Sequence, residues 1–551
     1  MSRPIAALLR QLHVRLLPRA PYKIPSQRRF CSELAFDMSG VKRQNEAIGS
    51  GGKRWKRKRI AKDGIMAENQ RFEGSAEEVL LHDIKSLRIS RPEESAAELA
   101  TSEEFPPETF TEVEVSIKML SSTGDGLGTS EDGKRIFVVP FTLPGEKVTA
   151  RVVKNFTEYT TTDLLEVKQR SQDRNDDLVF CQYFGRCSGC QFQMLTYDHQ
   201  LAHKRTVIEK AMKNYTNIDP SLIPPIGEIM PSPLSQGYRT KLTPHFDGPR
   251  KGGFKACDPT PDIGFQVKGR RIVLDIEDCP IGTQAVRDGM KSQRDFVKNN
   301  LRTFKRGATL LLRESTTRIP SESNGGSSSD QHQYTESKEC VTDSKDFVTE
   351  YIDNFKFMFP AGSFFQNNNS ILSKFTAFVT EQLQIPVEPD QQQPPDSYLI
   401  DAYCGSGLLS ICCGHKFKSI LGIDIAPPSI ESAKKNAEDN GVYNARFKWG
   451  NAEEIFADVD FPPDQTSVVI DPPRKGCDEL FLQQLLKLSP RRIVYISCNV
   501  HTMARDIGWF INGGSRDYVI EKVGGFDFFP QTHHVEGYAV LSRQISKTQM
   551  P

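Results

Sequence analysis

Cys498 is the penultimate residue of the stretch RRIVYISCN, residues 491–499. Ile493, Val494, Tyr495 and Ile496 read as a buried strand, so the thiol stands where that strand stops. A lone cysteine is most often packed as a small hydrophobe. Held rigidly at a strand end, in surroundings that favour the thiolate, it is instead a candidate nucleophile. Three acids stand at similar stops: Asp401 after SYLI, Asp424 after SILGI and Asp471 after SVVI. Ligands of open α/β sheets bind beyond the carboxyl ends of the strands, so these positions share one working edge. Glu536, in THHVEG, reads from the residues alone as a surface carboxylate. A separate group, FCQYFGRCSGCQF, holds Cys181, Cys187 and Cys190 at C-x5-C-x2-C spacing, with Cys279 in EDCPIGT as a remote fourth thiol. Three clustered thiols and one distant one suit a tetrahedral or cubane metal site.

SYLIDAYCGSGLLSI is the densest local signal. Gly405 and Gly407 let the backbone pass close to a ligand, and Asp424 follows Asp401 by 23 positions, where a carboxylate accepts ribose hydroxyls. The loop lacks the third glycine of the dinucleotide fingerprint and the Gly-Lys-Ser/Thr of a phosphate loop. A nucleoside without phosphates fits better than a dinucleotide, and S-adenosylmethionine is the common one; a dehydrogenase is the competing reading. Asp471-Pro472-Pro473 is followed by Arg474 where amine methyltransferases carry a base-stacking aromatic residue.

The elements that must carry these residues alternate from about residue 370 onward: SYLIDAY, SIESAKKNAEDNG, VVIDPP, LFLQQLLKLS and RRIVYISC. Such alternation implies βαβ units and a parallel sheet. Five short β segments between about 110 and 170 suggest a small barrel. Residues 61–108 are rich in Glu, Ser and Ala, residues 321–345 are polar and low in apolar content, and they are expected to be a disordered linker and a disordered insertion.

The chain has 551 residues, twelve cysteines and a formal net charge of +1. Residues 1–60 hold 15 Lys and Arg against 3 Asp and Glu, a net +12 that leaves −11 for the rest. Nucleic-acid binding by the folded part therefore needs a local basic face. Residues 1–35, rich in arginine and leucine, are expected to be a mitochondrial presequence. KRWKRKR at 53–59 fits a nuclear signal or nucleic-acid arm, and a second start at Met38 would give dual targeting to mitochondria and to cytoplasm or nucleus. No apolar run is long enough for a membrane span. The thiols are expected to be reduced.

Together, SFFQNNN (363–369), DAYCGSG (401–407), IDPPRKG (470–476), YISCN (495–499) and FPQTHHVEGYAVL (529–541) resemble the RNA uracil-5 methyltransferases, most closely the eukaryotic tRNA (uracil-5-)-methyltransferases of the T loop. The resemblance runs from about 110 to 545. It implies a TRAM β-barrel over 109–170, with GDGLG as its early turn; an α+β central domain over 171–360; and a Rossmann-like methyltransferase domain over 361–551. It makes Cys498 the nucleophile toward uracil C6 and Glu536 the base that removes the C5 proton. It places Gln366, Tyr403, Asp424 and Asp471 on S-adenosylmethionine, and Cys404 as a packed loop residue. His533 and His534 are left either to orient the base, to contact RNA or to pack. The four cysteines would hold a [4Fe–4S] cluster as in bacterial ribosomal-RNA members, with zinc second and metal-free thiols third. The expected reaction is uridine methylation at position 54 of tRNA by a monomer. Ribosomal RNA is the rival substrate, and a non-catalytic RNA-binding protein the rival class.

Overall fold

The computed structural model describes residues 73–89, 106–249, 252–255, 258–320, 334–385, 397–450, 456, 459–513 and 517–544. The expected presequence and the KRWKRKR cluster lie outside these. Within the stretch read as a disordered linker, Ala76–Ile89 is a helix, α1. Ser75 caps it, its Oγ accepting from the Glu78 N–H at 3.4 Å while the Glu78 carboxylate accepts from the Gly74 N–H at 2.6 Å. Val79, Leu80, Ile84 and Leu87 form its buried stripe. The linker reading is corrected over these residues.

The barrel closes in the order β1 (Glu112–Leu120), β2 (Gly126–Thr129), β3 (Ile136–Val139), β5 (Thr160–Gln169), β4 (Lys147–Asn155). Alternate residues of β4, namely Val148, Ala150 and Val152, point inward, as period-two alternation requires. The central region builds small antiparallel sheets. One of them pairs Leu312–Pro320 with Tyr334–Val341. The reading of 321–345 as disordered is therefore corrected for 334–341, a solvent-facing polar strand.

The large sheet has eight strands: β6 (Ile226–Met230), β7 (Tyr398–Ala402), β8 (Ser419–Asp424), β9 (Ala445–Trp449), β10 (Thr466–Ile470), β11 (Arg492–Ser497), β12 (Tyr518–Phe526) and β13 (Glu536–Arg543). Their order is β9-β8-β7-β10-β11-β13-β12-β6. The first five are parallel, and β13 runs antiparallel to both of its neighbours. Leu399, Val469, Val494 and Ile496 face one apolar core and Ile400, Val468, Ile493 and Tyr495 the other, so both faces are covered. Helix α2 (Tyr197–Tyr215) packs on α6 (Val500–Asn512), which follows β11; α3 (Leu408–Cys412), α4 (Pro427–Asp439) and α5 (Glu479–Leu488) precede it in the chain. Because α2 and β6 come from the segment expected to be the separate central domain, the boundary at 360/361 does not divide two independent cores.

Candidate active site

Register places the chemistry. β7 lies between β8 and β10, and the strand order reverses beside it, which opens a ligand crevice at the carboxyl ends. Ala402 pairs with Ile423 on one side and Ile470 on the other, so Tyr403, Asp424 and Asp471 emerge together at that edge. Ser497 of β11 pairs with Gly537 of β13. One step further along this antiparallel pair, Cys498 and Glu536 stand opposite each other. Residues 38 positions apart in sequence thus meet because the last strand returns beside the nucleophile's strand. Gly537 must be glycine: a Cβ there would come within 2.5 Å of Val500 Cγ1 on α6.

Glu536 is buried, and its carboxyl is pushed well above the usual range by desolvation first and by the neighbouring Asp471 charge second. Asp471 is raised for the same leading reason, with Asp401 adding to it. Two buried carboxyls this close favour sharing a proton over both ionising. Burial, then Glu536 and Asp471, push the half-buried Cys498 thiol up to about 12. Arg474 opposes them, hydrogen-bonding the sulfur and supplying positive charge, and it lowers Glu536 as well. Sequence reasoning noted Arg474 only as the residue replacing an aromatic one. Its partner became visible once β10 and β11 were seen to be adjacent.

The segment leading into Glu536 is tied down from α2. Lys204 is buried, pairs with Asp527 at 2.5 Å and donates to the Phe529 and His534 carbonyls at 2.9 and 2.8 Å. Gln200 Nε2 donates to Gln531 Oε1 at 3.1 Å. His533 Nδ1 lies 2.6 Å from Gln191 Oε1, and Gln191 Nε2 donates to Thr123 O in the barrel turn at 2.8 Å. Both histidines are half-buried and held below their ordinary range, chiefly by desolvation, with His534 down at about 3. They are neutral rings packed 4.0 Å apart, which suits packing and orientation rather than charge pairing with RNA.

Asp424 accepts N–H groups from Gly405 at 3.0 Å and Ala426 at 2.7 Å, which fixes its carboxylate over the glycine loop. Tyr403 takes a left-handed backbone, φ 66°, and its ring lies 5.3 Å from Phe481. Gln366 is buried at the head of the asparagine run. Those asparagines explain the motif: Asn367 accepts from Arg313 at 2.9 Å, Asn368 donates to Ser232 at 3.0 Å, and Asn369 donates to Glu350 at 3.1 Å. Cys404 is buried and packed in its loop. A cavity of about 430 Å³ borders Cys498, Arg474, Asn499 and His534. Gln366, Tyr403, Asp424 and Asp471 are not among its lining residues, so this cavity is distinct from the crevice at β7 and β10.

Cys181, Cys187, Cys190 and Cys279 line a second cavity of about 350 Å³. Cys190 is pushed up to about 12, by burial first and then by Cys187 and Cys181; Cys279 is raised by burial and by all three other thiols. The four cysteines thus share the lining of one cavity. Among the described residues no three His, Cys, Asp or Glu side chains are grouped closely enough to hold a single ion.

Comparison with known proteins agrees with this geometry. The family described as tRNA (Uracil-5-)-methyltransferase matches residues 335–544, and the TRAM domain matches 106–163. The tRNA (uracil(54)-C(5))-methyltransferase of Schizosaccharomyces pombe is 48% identical over 476 residues, covering 86% of this chain and 84% of that protein. The chain belongs to the tRNA (uracil-5-)-methyltransferase family. The Saccharomyces cerevisiae member is 40% identical over 472 residues, covering 78% of this chain and 73% of its own. The crystal structure of Pyrococcus abyssi tRNA (uracil-54, C5)-methyltransferase in complex with S-adenosyl-L-homocysteine has the same fold. It aligns at 22% identity and a TM-score of 0.55 over 78% of this chain and all of that one. The protein is thus a methyltransferase, with a TRAM barrel ahead of a Rossmann-like catalytic domain.

Proposed function

We propose that the protein methylates C5 of uridine 54 in the T loop of tRNA, using S-adenosylmethionine. The observation that carries this reading is the β11–β13 register, which sets a thiol and a buried carboxyl side by side. Uracil C5 is a poor nucleophile. Cys498 Sγ adds to C6, the C5=C6 electron pair moves toward C5 and O4, and C5 becomes nucleophilic. S-adenosylmethionine, held by Gln366, Tyr403, Asp424 and Asp471, supplies an electrophilic methyl group. Glu536 then takes the C5 proton, the C5–H pair re-forms C5=C6, and the bond to Cys498 breaks with the sulfur leaving as thiolate. A carboxyl raised by burial is a stronger base than one in water, which suits this transfer. Arg474 steadies both the attacking and the departing sulfur.

The test incubates the chain and S-adenosylmethionine with T-arm RNA and with ribosomal-RNA transcripts, and maps 5-methyluridine by mass spectrometry. Methylation at position 54 of tRNA is expected; methylation of ribosomal RNA alone would overturn the substrate assignment.

The same reading gives Cys181, Cys187, Cys190 and Cys279 a structural [4Fe–4S] cluster. Protein purified without oxygen should be brown and contain iron and sulfide; a colourless zinc protein, or one without metal, would refute the cluster. The reading also takes the protein to act as a monomer. A chain begun at Met1 goes to mitochondria and one begun at Met38 to cytoplasm or nucleus. Fluorescent fusions to the two starts should separate accordingly.

A further inference from the structure

Helix α1 precedes the residues matched to the TRAM domain and makes three sets of contacts. Toward the barrel, Leu80, Ile84 and Leu87 pack with Leu127, Ile136, Val138 and Tyr159, and Arg88 pairs with Glu158 and donates to its carbonyl. Beneath the helix, Asp83 accepts from the Ser122 N–H at 2.6 Å and pairs with Lys210 of α2 at 2.8 Å. Toward the catalytic sheet, the Gly74 carbonyl accepts from Asn499 Nδ2 at 3.2 Å, beside Cys498. Gly74 has φ 77°, and a Cβ there would approach Thr502 Cγ2 to 2.7 Å, so this contact requires glycine. The rings of His82, Tyr215 and His501 form a chain of tilted and edge-on contacts from α1 across α2 to α6, with centroids 5.1 and 5.3 Å apart. Gly74, Ser75, Ala76 and Val79 form part of the wall of the cavity that also holds Cys498 and Arg474.

We propose that Gly74–Ile89 is a positioning element for the target base. Its first turn walls the cavity that receives the uracil, and its body fixes the barrel, with the RNA held there, relative to Cys498. The inference rests on the uridine-methylating reading above. The target base must leave its stack to reach the thiol, so a wall beside Cys498 selects where it comes to rest. The acidic first turn, Glu77 and Glu78, argues against a phosphate site at this helix start.

The test uses the full-length chain with Gly74→Ala and, separately, Ile84→Ala, whose side chain faces the barrel away from the cavity. Misplacing a reacting group by about 1 Å costs on the order of 10²-fold in rate. Gly74→Ala should therefore lower kcat/KM for T-arm RNA by about 10- to 100-fold. It should leave S-adenosylhomocysteine affinity near wild type. Ile84→Ala should raise KM for RNA more than it lowers kcat. Wild-type RNA kinetics in both variants would overturn the proposal. So would parallel losses of cofactor affinity and RNA turnover, the mark of a purely structural helix. If Gly74→Ala fails to fold, the Ile84→Ala split decides alone. A wild-type chain that methylates no tRNA would instead refute the substrate reading on which the inference rests.

Discussion

Cys498 sits between two acids that hold its proton and one arginine that loosens it. Replacing Arg474 with Ala removes a hydrogen bond and a positive charge from the sulfur. The midpoint of iodoacetamide alkylation at Cys498 should then move up by about one pH unit, some tenfold in thiolate at a given pH. An unchanged midpoint would show that the contact does not tune the thiol. Cys498→Ala should abolish methylation and also the covalent adduct with 5-fluorouracil-containing RNA; an adduct that persists would identify another nucleophile. Glu536→Gln separates the two halves of the reaction. Addition and methyl transfer proceed without it, but release should slow by about 10²–10⁴-fold. A denaturation-resistant protein–RNA complex should build up on ordinary uridine RNA, dependent on S-adenosylmethionine. Turnover at the wild-type rate would reject the proton-acceptor role. At this scale the motifs in the sequence name the reacting residues through family resemblance alone. Glu536 gives no local sign of its burial, because that depends on strands folded from distant segments.

The strands and helices show why some elements were legible and others were not. Strands β7, β8, β10 and β11 read clearly as short apolar runs ended by acids or a thiol, since burial on both faces leaves no polar alternation, whereas the parallel edge strand β9, ARFKW, did not. Tyr334–Val341 did not, because its side chains are largely solvent-facing and its stability comes from pairing with Leu312–Pro320. Helix α1 carried both a capping box and a stripe at 79, 80, 84 and 87, but averaging composition over the Glu- and Ser-rich stretch hid a 14-residue signal. Among helix contacts, Lys204 is the sharpest case. Removing one partner of a buried pair strands the other charge, at a cost of about 3–5 kcal/mol. Lys204→Met should destabilise by that order in urea titration and loosen the segment that leads to Glu536. Lys204→Met with Asp527→Leu should recover most of the loss; equal instability of the single and double variants would contradict the pairing argument.

Across the whole molecule, Asp401, Asp471 and Glu536 form a seam of carboxyls held above their ordinary range chiefly by desolvation, with Asp401 at about 7. In the unfolded chain such groups ionise near pH ~4. The native state therefore binds more protons than the unfolded one between about pH 4 and neutrality. The stability tied to this seam is fully present below about pH 4 and is lost as pH rises through the folded values. Asp471→Asn should match wild type near pH 4 and exceed it by roughly 1–3 kcal/mol at pH 8, while losing methylation. A melting difference that does not change with pH would refute the assignment. The sheet order has one more result, concerning how the protein is made. β13, which carries Glu536, is the last strand among the described residues and lies between β11 and β12. A ribosome that stops early therefore omits an interior strand and leaves β12 and β6 without their link to β11. Such a fragment keeps β11 paired with β10 but lacks Glu536 and the strand opposite Cys498.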